Sequence, residues 1–268
     1  MKAIILAAGL GTRLGKYTEN LPKCMLNFAG MPLIERQIKT FRNCGIKKII
    51  VVGGYMNHKI NIPGVNYYFN ENFSKTNMVE TLFSAEREFE DIEDNIIVSY
   101  GDIIFDEETL KKIIACEKDI CVAVDDNWQE YWKTRFNGKL EDVESMHIGE
   151  DGNIMELGTP NCQAEDCHAR YVGMIKFSKE GAKVLREIYH ENKKKYWDKD
   201  EKWLNSKSFK QAYMTDMLQS IINSGFKVWP AHINGGWLEF DTEQDYELAN
   251  KWLKEGTLNR FIKIDYGK

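Results

Sequence analysis

Two cations and a run of small residues near the amino terminus could together bind a polyphosphate. Arg13 follows the segment Ala7-Ala-Gly-Leu-Gly11, and Lys23 comes later, directly after Pro22. Glycines in such a loop allow close approach of a ligand, and successive backbone N–H groups form a nest for an anion. The segment lacks both the G-x-x-x-x-G-K-[ST] motif and the third glycine of the dinucleotide pattern. It therefore predicts a nucleotide-binding loop of a different kind.

Carboxylates in two other segments could hold the metal ion that chemistry on a polyphosphate requires. Asp102 follows an apolar run, 95–100, and a glycine. In the segment 237–241, strand alternation puts Glu239 and Asp241 on one face. Mg²⁺ is usually held by one or two carboxylates together with substrate oxygens. Asp102, Asp241 and Glu239 are therefore predicted metal ligands, with a turn aspartate and a solvated edge strand as the alternative interpretations.

An aromatic and charged segment, 126–136, follows the fourth predicted strand and shows no clear period. Aromatic rings can face an ammonium group, and an arginine can bind a phosphate or a carboxylate through its planar fork. The segment therefore predicts a pocket for a small acceptor, although a surface loop with its aromatic rings packed into the core remains an alternative. The predicted acceptor-binding residues are Trp128, Trp132, Arg135, Tyr171 and Trp237.

Apolar runs alternate with amphipathic segments over the first half of the chain. The predicted strands are 3–6, 46–52, 65–69, 95–100 and 120–124, and the predicted helices are 34–44, 78–89 and 107–117. This alternation predicts an α/β fold with a doubly wound, mostly parallel, Rossmann-like sheet. Ligands of such sheets bind beyond the carboxyl ends of the strands, where the small-residue loop, Gly54 and Asp102 all fall.

The second half of the chain predicts an inserted α+β region that faces the substrate. Its predicted elements are a hairpin of 145–148 with 152–157, strands 171–177 and 226–233, and helices 179–195, 210–225 and 242–254. We predict a single domain over residues 1–268. It comprises a nucleotide-binding core (1–125), an acceptor-binding insertion with its helices (126–236), and a metal-binding strand with a closing helix (237–268).

Composition excludes several classes of partner. The net charge of −5 argues against general affinity for nucleic acid. No signal peptide and no apolar run of roughly 18 residues is present, which predicts a cytoplasmic protein without a membrane partner. The six cysteines are then expected to be reduced thiols, and Cys162 with Cys167 and His168 lacks a second pair of zinc ligands. Tryptophan and tyrosine residues outside the core pattern are compatible with a homodimer.

The segment Leu6-Ala-Ala-Gly-Leu-Gly-Thr-Arg13, followed by Leu21-Pro-Lys23, resembles the signature of the nucleotidyltransferase family. Members join a nucleoside triphosphate to a phosphorylated small molecule and release pyrophosphate. The resemblance implies that Arg13 and Lys23 bind the phosphates and act in catalysis, and that Asp102 and Asp241 jointly hold Mg²⁺. From this resemblance and from position at the sheet edge, the expected nucleotide-binding residues are Leu6, Ala7, Ala8, Gly9, Gly11, Thr12, Arg13, Lys23, Gly54, Asn70, Thr76, Asn77 and Asp102.

The chain further resembles the cytidylyltransferase branch that includes phosphocholine and phosphonate cytidylyltransferases. It is especially similar to the cytidylyltransferases of capsular O-methyl phosphoramidate biosynthesis, whose acceptor is L-glutamine phosphate. The matching segments are Lys75-Thr-Asn-Met-Val79, Asp126-x-Trp128, Trp132-x-x-Arg135-Phe136, Leu140-Glu-Asp142 and Tyr171-Val-Gly173. The resemblance implies CTP and a small phosphorylated acceptor as substrates, and a role in decorating a capsule or surface polysaccharide. A sugar-1-phosphate uridylyl- or thymidylyltransferase and a non-catalytic nucleotide-binding module remain alternatives.

Overall fold

The computed structural model describes residues 1–90 and 94–264, so the last four residues of the predicted 237–268 segment lie outside the described residues. The strands are β1 Lys2–Ala7, β2 Asn27–Phe28, β3 Met31–Pro32, β4 Lys48–Gly53, β5 Asn66–Phe69, β6 Ile96–Tyr100, β7 Ile103–Phe105, β8 Ile120–Asp125, β9 Glu144–Ile148, β10 Ile154–Pro160, β11 Arg170–Phe177, β12 Trp229–Ile233 and β13 Trp237–Glu239. The helices are α1 Leu33–Asn43, α2 Met78–Phe83, α3 Glu107–Ala115, α4 Trp128–Arg135, α5 Lys179–Tyr196, α6 Met214–Asn223 and α7 Glu243–Glu255.

A seven-stranded sheet in the order β12-β8-β11-β6-β1-β4-β5 forms the centre of the molecule. β1 pairs in parallel with β4 and β6, and β12 pairs in parallel with β8. β11 is the exception, since it runs antiparallel to both β6 and β8. Ile4 and Ile5 of β1 are fully buried although they point to opposite faces, because the sheet is covered on both sides. The predicted doubly wound, mostly parallel sheet is therefore confirmed.

Another antiparallel pairing, between β7 and β13, was not indicated by the sequence pattern and brings distant acids together. β13 pairs with β7 so that Leu238 lies opposite Ile104. Just beyond this ladder, the backbone N–H of Phe240 donates to the carbonyl of Asp102 at 2.9 Å. Asp241 therefore reaches the end of β6, although it lies far from Asp102 in the sequence.

Two predicted helices have different bounds in the structure. The predicted helix 78–89 is α2 followed by a short 3-10 turn, Glu86–Phe89, and the side chain of Asn77 caps its first turn by accepting from the Met78 N–H. The predicted helix 210–225 begins only at Met214. The predicted hairpin is confirmed as the antiparallel pair of β9 and β10.

The structure corrects the expectation that all six cysteines are reduced. Cys116, directly after α3, forms a disulfide with Cys121 of β8. The tight turn between these elements holds the two Cα atoms 6.7 Å apart, which is within the reach of a disulfide. The other cysteines are free. Over the described ranges, the helices are all too short or too polar to cross a membrane.

Candidate active site

An open cleft lies at the carboxyl edge of the sheet, beyond β1 and β6. The space inside it, including its mouth, is about 1060 Å³. Its lining residues come from the small-residue loop, from the start of α2 and from the ends of β6 and β13. They are Leu6, Ala7, Ala8, Gly9, Leu10, Gly11, Thr12, Arg13, Lys23, Cys24, Phe73, Thr76, Asn77, Met78, Thr81, Tyr100, Gly101, Asp102, Tyr213 and Asp241. Most of the residues predicted to bind the nucleotide therefore meet in one place.

Two glycines allow other parts of the chain to lie close to the loop that follows β1. Gly11 has a φ of 67°, and a Cβ there would lie only 3.2 Å from the Cβ of Lys23. Gly54 does not line the cleft, but a Cβ at this position would lie 2.7 Å from the Ala8 carbonyl oxygen. Glycine at position 54 is therefore needed for the end of β4 to pack against the loop.

Lys23 is bound between two carboxylates at the floor of the cleft. Its Nζ donates to Asp102 Oδ2 at 2.5 Å and to Asp241 Oδ1 at 2.7 Å. Burial by itself lowers the pKa of Lys23, but the charges of Asp102 and Asp241 outweigh it, so that the pKa is raised. Lys23 therefore stays protonated, and it presents a fixed positive charge inside the cleft.

Arg13 provides a second cation, which is much less constrained. Its Nη2 lies 2.7 Å from Asp241 Oδ2, but the arginine side chain is 65% exposed. An exposed ion pair of this kind contributes little stability. The guanidinium is therefore free to exchange the carboxylate for an anionic ligand in the cleft.

The pair of Asp102 and Asp241 fits a divalent cation. The two carboxylates already share one cation, the ammonium of Lys23. In the described part of the chain, Oδ1 of Asp102 is buried and has no hydrogen-bond partner, which leaves a free acceptor for a metal. Burial raises the pKa of Asp241, and the charge of Lys23 opposes this rise only in part. Two carboxylates are sufficient for Mg²⁺ when phosphate oxygens complete its shell.

Glu239, the third predicted metal ligand, does not join this pair. Its Oε2 accepts from Arg135 Nη1 at 2.5 Å. No group of three or more acidic, histidine or cysteine side chains suited to a metal occurs in the described ranges. In the described ranges, Glu239 is therefore not grouped with Asp102 and Asp241, and its carboxylate is bound by Arg135.

The side of the cleft near α2 combines a buried amide with polar side chains that line the cleft. Asn70 is 3% exposed, and its Nδ2 donates to the hydroxyls of Thr76 and Thr81 at 3.1 and 3.0 Å. Thr76, Thr81 and Asn77 line the cleft, whereas Asn70 does not. Asn70 therefore positions Thr76 and Thr81 and does not itself face the cleft.

The predicted acceptor-binding aromatic residues lie in the hydrophobic core. The segment 126–136, which has no clear period in the sequence, contains helix α4, in which Trp128 is 1% and Trp132 is 0% exposed. Trp237 is also buried, and its Nε1 donates to Asp125 Oδ2 at 2.8 Å. The prediction that these three rings line an acceptor pocket is corrected: none of them reaches the cleft, because α4 and β13 pack them into the core.

Arg135 forms a buried ion-pair network in place of the predicted substrate contact. Its Nε and Nη2 donate to the two carboxylate oxygens of Asp245 at 2.5 and 2.8 Å, and its Nη1 donates to Glu239. Tyr171, the remaining predicted acceptor residue, lies at the start of β11 and packs edge-on against Tyr100, with 5.8 Å between ring centroids. Tyr171 therefore touches a residue that lines the cleft.

We expect Arg135→Ala to destabilise the fold and to leave substrate affinity largely unchanged. The substitution leaves the buried carboxylate of Asp245 and the partly buried carboxylate of Glu239 without their partner, which costs about 3–5 kcal/mol of unfolding free energy. Chemical denaturation of the variant measures this loss. The control is Arg260→Ala, because Arg260 is 55% exposed and forms an exposed ion pair with Glu130. A small loss of stability together with a selective rise in the acceptor KM would instead indicate that Arg135 contacts the acceptor.

Several lining residues had not been predicted. Tyr100 is the last residue of β6 and lies two positions before Asp102. The prediction of Asp102 at the cleft could therefore have been extended to Tyr100. Tyr213 precedes α6 and reaches the cleft because the chain before it pairs with the start of α2, where the Asn77 N–H donates to the Lys210 carbonyl. No local pattern in the sequence signals such a contact.

The fold and the cleft define a nucleotidyltransferase: an α/β sheet whose carboxyl edge presents a small-residue loop, two cations and a pair of carboxylates. Residues 3–189 match the MobA-like NTP transferase domain. The chain belongs to this family, which confirms the resemblance found in its sequence.

Relatives extend over nearly the whole chain. It is 34% identical over 257 residues to the CTP:phosphoglutamine cytidylyltransferase of Campylobacter jejuni, covering 92% of this chain and 98% of that one. It is 28% identical over 208 residues to the 2-aminoethylphosphonate cytidylyltransferase of Lancefieldella rimae, covering 73% and 77%. The solved CTP:phosphocholine cytidylyltransferase of Streptococcus pneumoniae superposes with a TM-score of 0.67 at 21% identity, covering 94% and 98%. This last similarity supports the fold.

Proposed function

We propose that this protein transfers the cytidylyl group of CTP to a small phosphorylated acceptor and releases pyrophosphate. The observation that carries the proposal is the ammonium of Lys23, largely shielded from solvent and held between Asp102 and Asp241 on the floor of the cleft. L-Glutamine phosphate is the favoured acceptor because the Campylobacter jejuni relative matches almost end to end. Phosphocholine and phosphonates are the other acceptors of the same type.

In the proposed reaction, an oxygen of the acceptor phosphate attacks the α-phosphorus of CTP. The bond from that phosphorus to the oxygen bridging the β-phosphate breaks, and pyrophosphate leaves with the bond's electron pair. No protein nucleophile is needed. The backbone N–H groups of the loop 8–11, together with Arg13 and Lys23, bind the phosphates and neutralise the charge that develops in the transition state.

Asp102 and Asp241 would hold Mg²⁺ during this reaction, together with phosphate oxygens. When bound, the metal supplies Lewis-acid charge to the reacting phosphates. The carboxylates would then give up the ammonium of Lys23 to the nucleotide, so that Lys23 bridges the phosphates. Arg13 would exchange Asp241 for a phosphate in the same way.

We expect CTP to be preferred over UTP by at least about tenfold in kcat/KM, which corresponds to about 1.4 kcal/mol. The polar groups of Ala8, Thr76 and Asn77 line the proposed base side of the cleft. A site built to read the exocyclic amine of cytosine leaves acceptors unpaired when a carbonyl takes its place. Steady-state rates with each nucleotide at a fixed acceptor concentration measure the preference. Equal rates with CTP and UTP would contradict the cytidylyl assignment and leave the family unchanged.

Pyrophosphate release from a panel of substrates tests the proposed function as a whole. Each of the common nucleoside triphosphates is combined with L-glutamine phosphate, phosphocholine, aminoethylphosphonate or glucose 1-phosphate. Release only with CTP and a non-sugar acceptor supports the proposal. Release with UTP or dTTP and glucose 1-phosphate would instead identify a sugar-1-phosphate nucleotidyltransferase, and no release in any combination would indicate a non-catalytic module.

We also propose the division of the domain into three segments that the sequence predicts. Residues 1–125 would form the nucleotide-binding core, 126–236 the acceptor-binding insertion, and 237–268 the metal-binding strand with its closing helix. A cytoplasmic location and a role in capsule or surface-polysaccharide decoration rest on the resemblance to known cytidylyltransferases. A homodimer is tested by measuring the mass in solution.

A further inference from the structure

Gln37 of α1 is a fully buried amide that holds the turn on which Asp102 lies. Its exposed fraction is 0%, and its Nε2 donates to two backbone carbonyls, that of Tyr100 at 2.8 Å and that of Ile103 at 2.7 Å. These two carbonyls lie on either side of Gly101 and Asp102 in the sequence. Both N–H groups of the amide therefore bind the ends of a single turn.

The turn needs such a partner because the chain passes from one sheet to another at this point. β6 lies in the seven-stranded sheet, whereas β7 pairs with β13. A buried backbone carbonyl that leaves a sheet ladder needs another hydrogen-bond donor. The hydroxyl of Ser99, which is also 0% exposed, donates to Gln37 Oε1 at 2.9 Å. This bond orients the amide so that both of its N–H groups face the turn.

The carboxylate of Asp102 depends on this turn because few side-chain contacts hold it. Its Oδ2 accepts from Lys23, and among the described residues its buried Oδ1 has no partner. In the proposed reaction, Lys23 moves to the phosphates of CTP. The direction in which Asp102 then points is set by its backbone. That backbone is fixed by the carbonyls bound to Gln37 and by the Phe240 N–H, which donates to the Asp102 carbonyl.

The helix that carries Gln37 is also joined to Lys23. The Leu33 N–H, at the start of α1, donates to the Leu26 carbonyl at 3.0 Å, and the Leu26 N–H donates to the Lys23 carbonyl at 3.1 Å. α1 is therefore connected to both members of the ion pair between Lys23 and Asp102. Gln37 itself does not line the cleft, so it acts on the site through Asp102.

We propose that Gln37 is a positioning residue, which fixes the turn 101–102 so that the carboxylate of Asp102 is held where it can bind Mg²⁺ together with Asp241. The inference rests on the proposed function and adds a residue outside the cleft to it. Replacing a residue that holds a metal ligand in place typically lowers metal affinity or activity by about 10- to 100-fold. An amide with a purely structural role would change stability alone.

Gln37→Met tests the inference, because methionine has a similar length and lacks both donors. We expect the Mg²⁺ concentration for half-maximal rate to rise about tenfold, with the acceptor KM unchanged at saturating Mg²⁺. High Mg²⁺ should restore much of the rate. Ser99→Ala removes the hydroxyl that orients the amide, and it should raise the half-maximal Mg²⁺ concentration by about threefold, as expected for one neutral hydrogen bond.

Asn192→Leu is the matched control. Asn192 of α5 is an amide whose Nδ2 donates to the Ile188 carbonyl and the Ser220 hydroxyl, and whose Oδ1 accepts from Trp203 Nε1. It does not line the cleft. Like Gln37→Met, this substitution removes an amide that binds a backbone carbonyl, so it should lower the midpoint of chemical denaturation and leave the Mg²⁺ dependence unchanged. An equal rise in the Mg²⁺ requirement of both variants would overturn the inference.

Calorimetric binding of nucleotides without an acceptor separates this inference from the proposed function. Binding of CTP and of UTP is measured with Mg²⁺ and with EDTA, and the ratio gives the gain in affinity that Mg²⁺ provides. We expect this gain to be about tenfold smaller in Gln37→Met, with the affinity in EDTA unchanged.

An unchanged gain in Gln37→Met, or the absence of any gain in the wild-type protein, would overturn the inference while cytidylyl transfer stands. Should Gln37→Met not fold, the gain measured in Ser99→Ala decides in its place. Absence of transfer to every acceptor, together with a reduced gain in Gln37→Met, would overturn the proposed function alone.

Discussion

Lys23→Ala is expected to lower kcat by about 100-fold or more while the protein remains folded. The ammonium of Lys23 lies between Asp102 and Asp241, at the point where we propose that the phosphates of CTP react. A preorganised charge at a developing anion typically contributes a factor of this size to turnover. Initial rates of pyrophosphate release measure the effect, and circular dichroism checks the fold.

The removal of Lys23 also leaves Asp102 and Asp241 facing each other without a cation. Saturating Mg²⁺ should therefore restore stability to Lys23→Ala but not its turnover. Lys16→Ala is the control, since Lys16 is 62% exposed, pairs with Glu247 and does not line the cleft. Near-normal turnover in a folded Lys23→Ala protein would remove Lys23 from the catalytic machinery.

Asp102→Asn and Asp241→Asn are each expected to lower kcat by about 100-fold and to raise the Mg²⁺ concentration needed for half-maximal rate. Each substitution removes one carboxylate charge from a shared metal position and keeps the size of the side chain. Because both residues serve one ion, the double variant should lose less than the product of the two single effects. Mg²⁺ titrations of the initial rate for all three variants measure this coupling.

Asp166→Asn is the matched control, because Asp166 is 48% exposed and lies outside the cleft. Its rate and its Mg²⁺ dependence should equal those of the wild-type protein. If the two single effects multiply in the double variant, Asp102 and Asp241 act independently and do not share one metal ion.

Features set by local sequence were predictable. The apolar run of β1 and the small residues after it predicted both a buried strand and a phosphate-binding loop, which the structure places at the edge of the cleft. Alternating strand and helix patterns predicted the doubly wound sheet, because burial on both faces leaves a local signal in each strand. In parallel sheets the residues that follow the strands lie together at the carboxyl edge, and this rule predicted Asp102 beside the loop.

Features set by long-range packing were not predictable. Trp128, Trp132 and Arg135 have the residue types of an acceptor pocket, yet α4 turns them into the core and pairs Arg135 with Asp245. A residue type shows what a side chain can bind, but only the packing of distant elements decides which partner it meets. The β7–β13 pairing, which brings Asp241 to Lys23, depends on the same long-range contacts.

The sequence by itself therefore determined the fold class, the phosphate loop and the cations beside it, because these depend on short-range periodicity and on neighbouring residues. Only the tertiary structure decided what Arg135 binds. Its guanidinium meets the carboxylates of Asp245 and Glu239, which lie 110 and 104 positions away in the sequence. Which carboxylate lies within ion-pair distance of an arginine is a property of the folded chain and not of its local pattern.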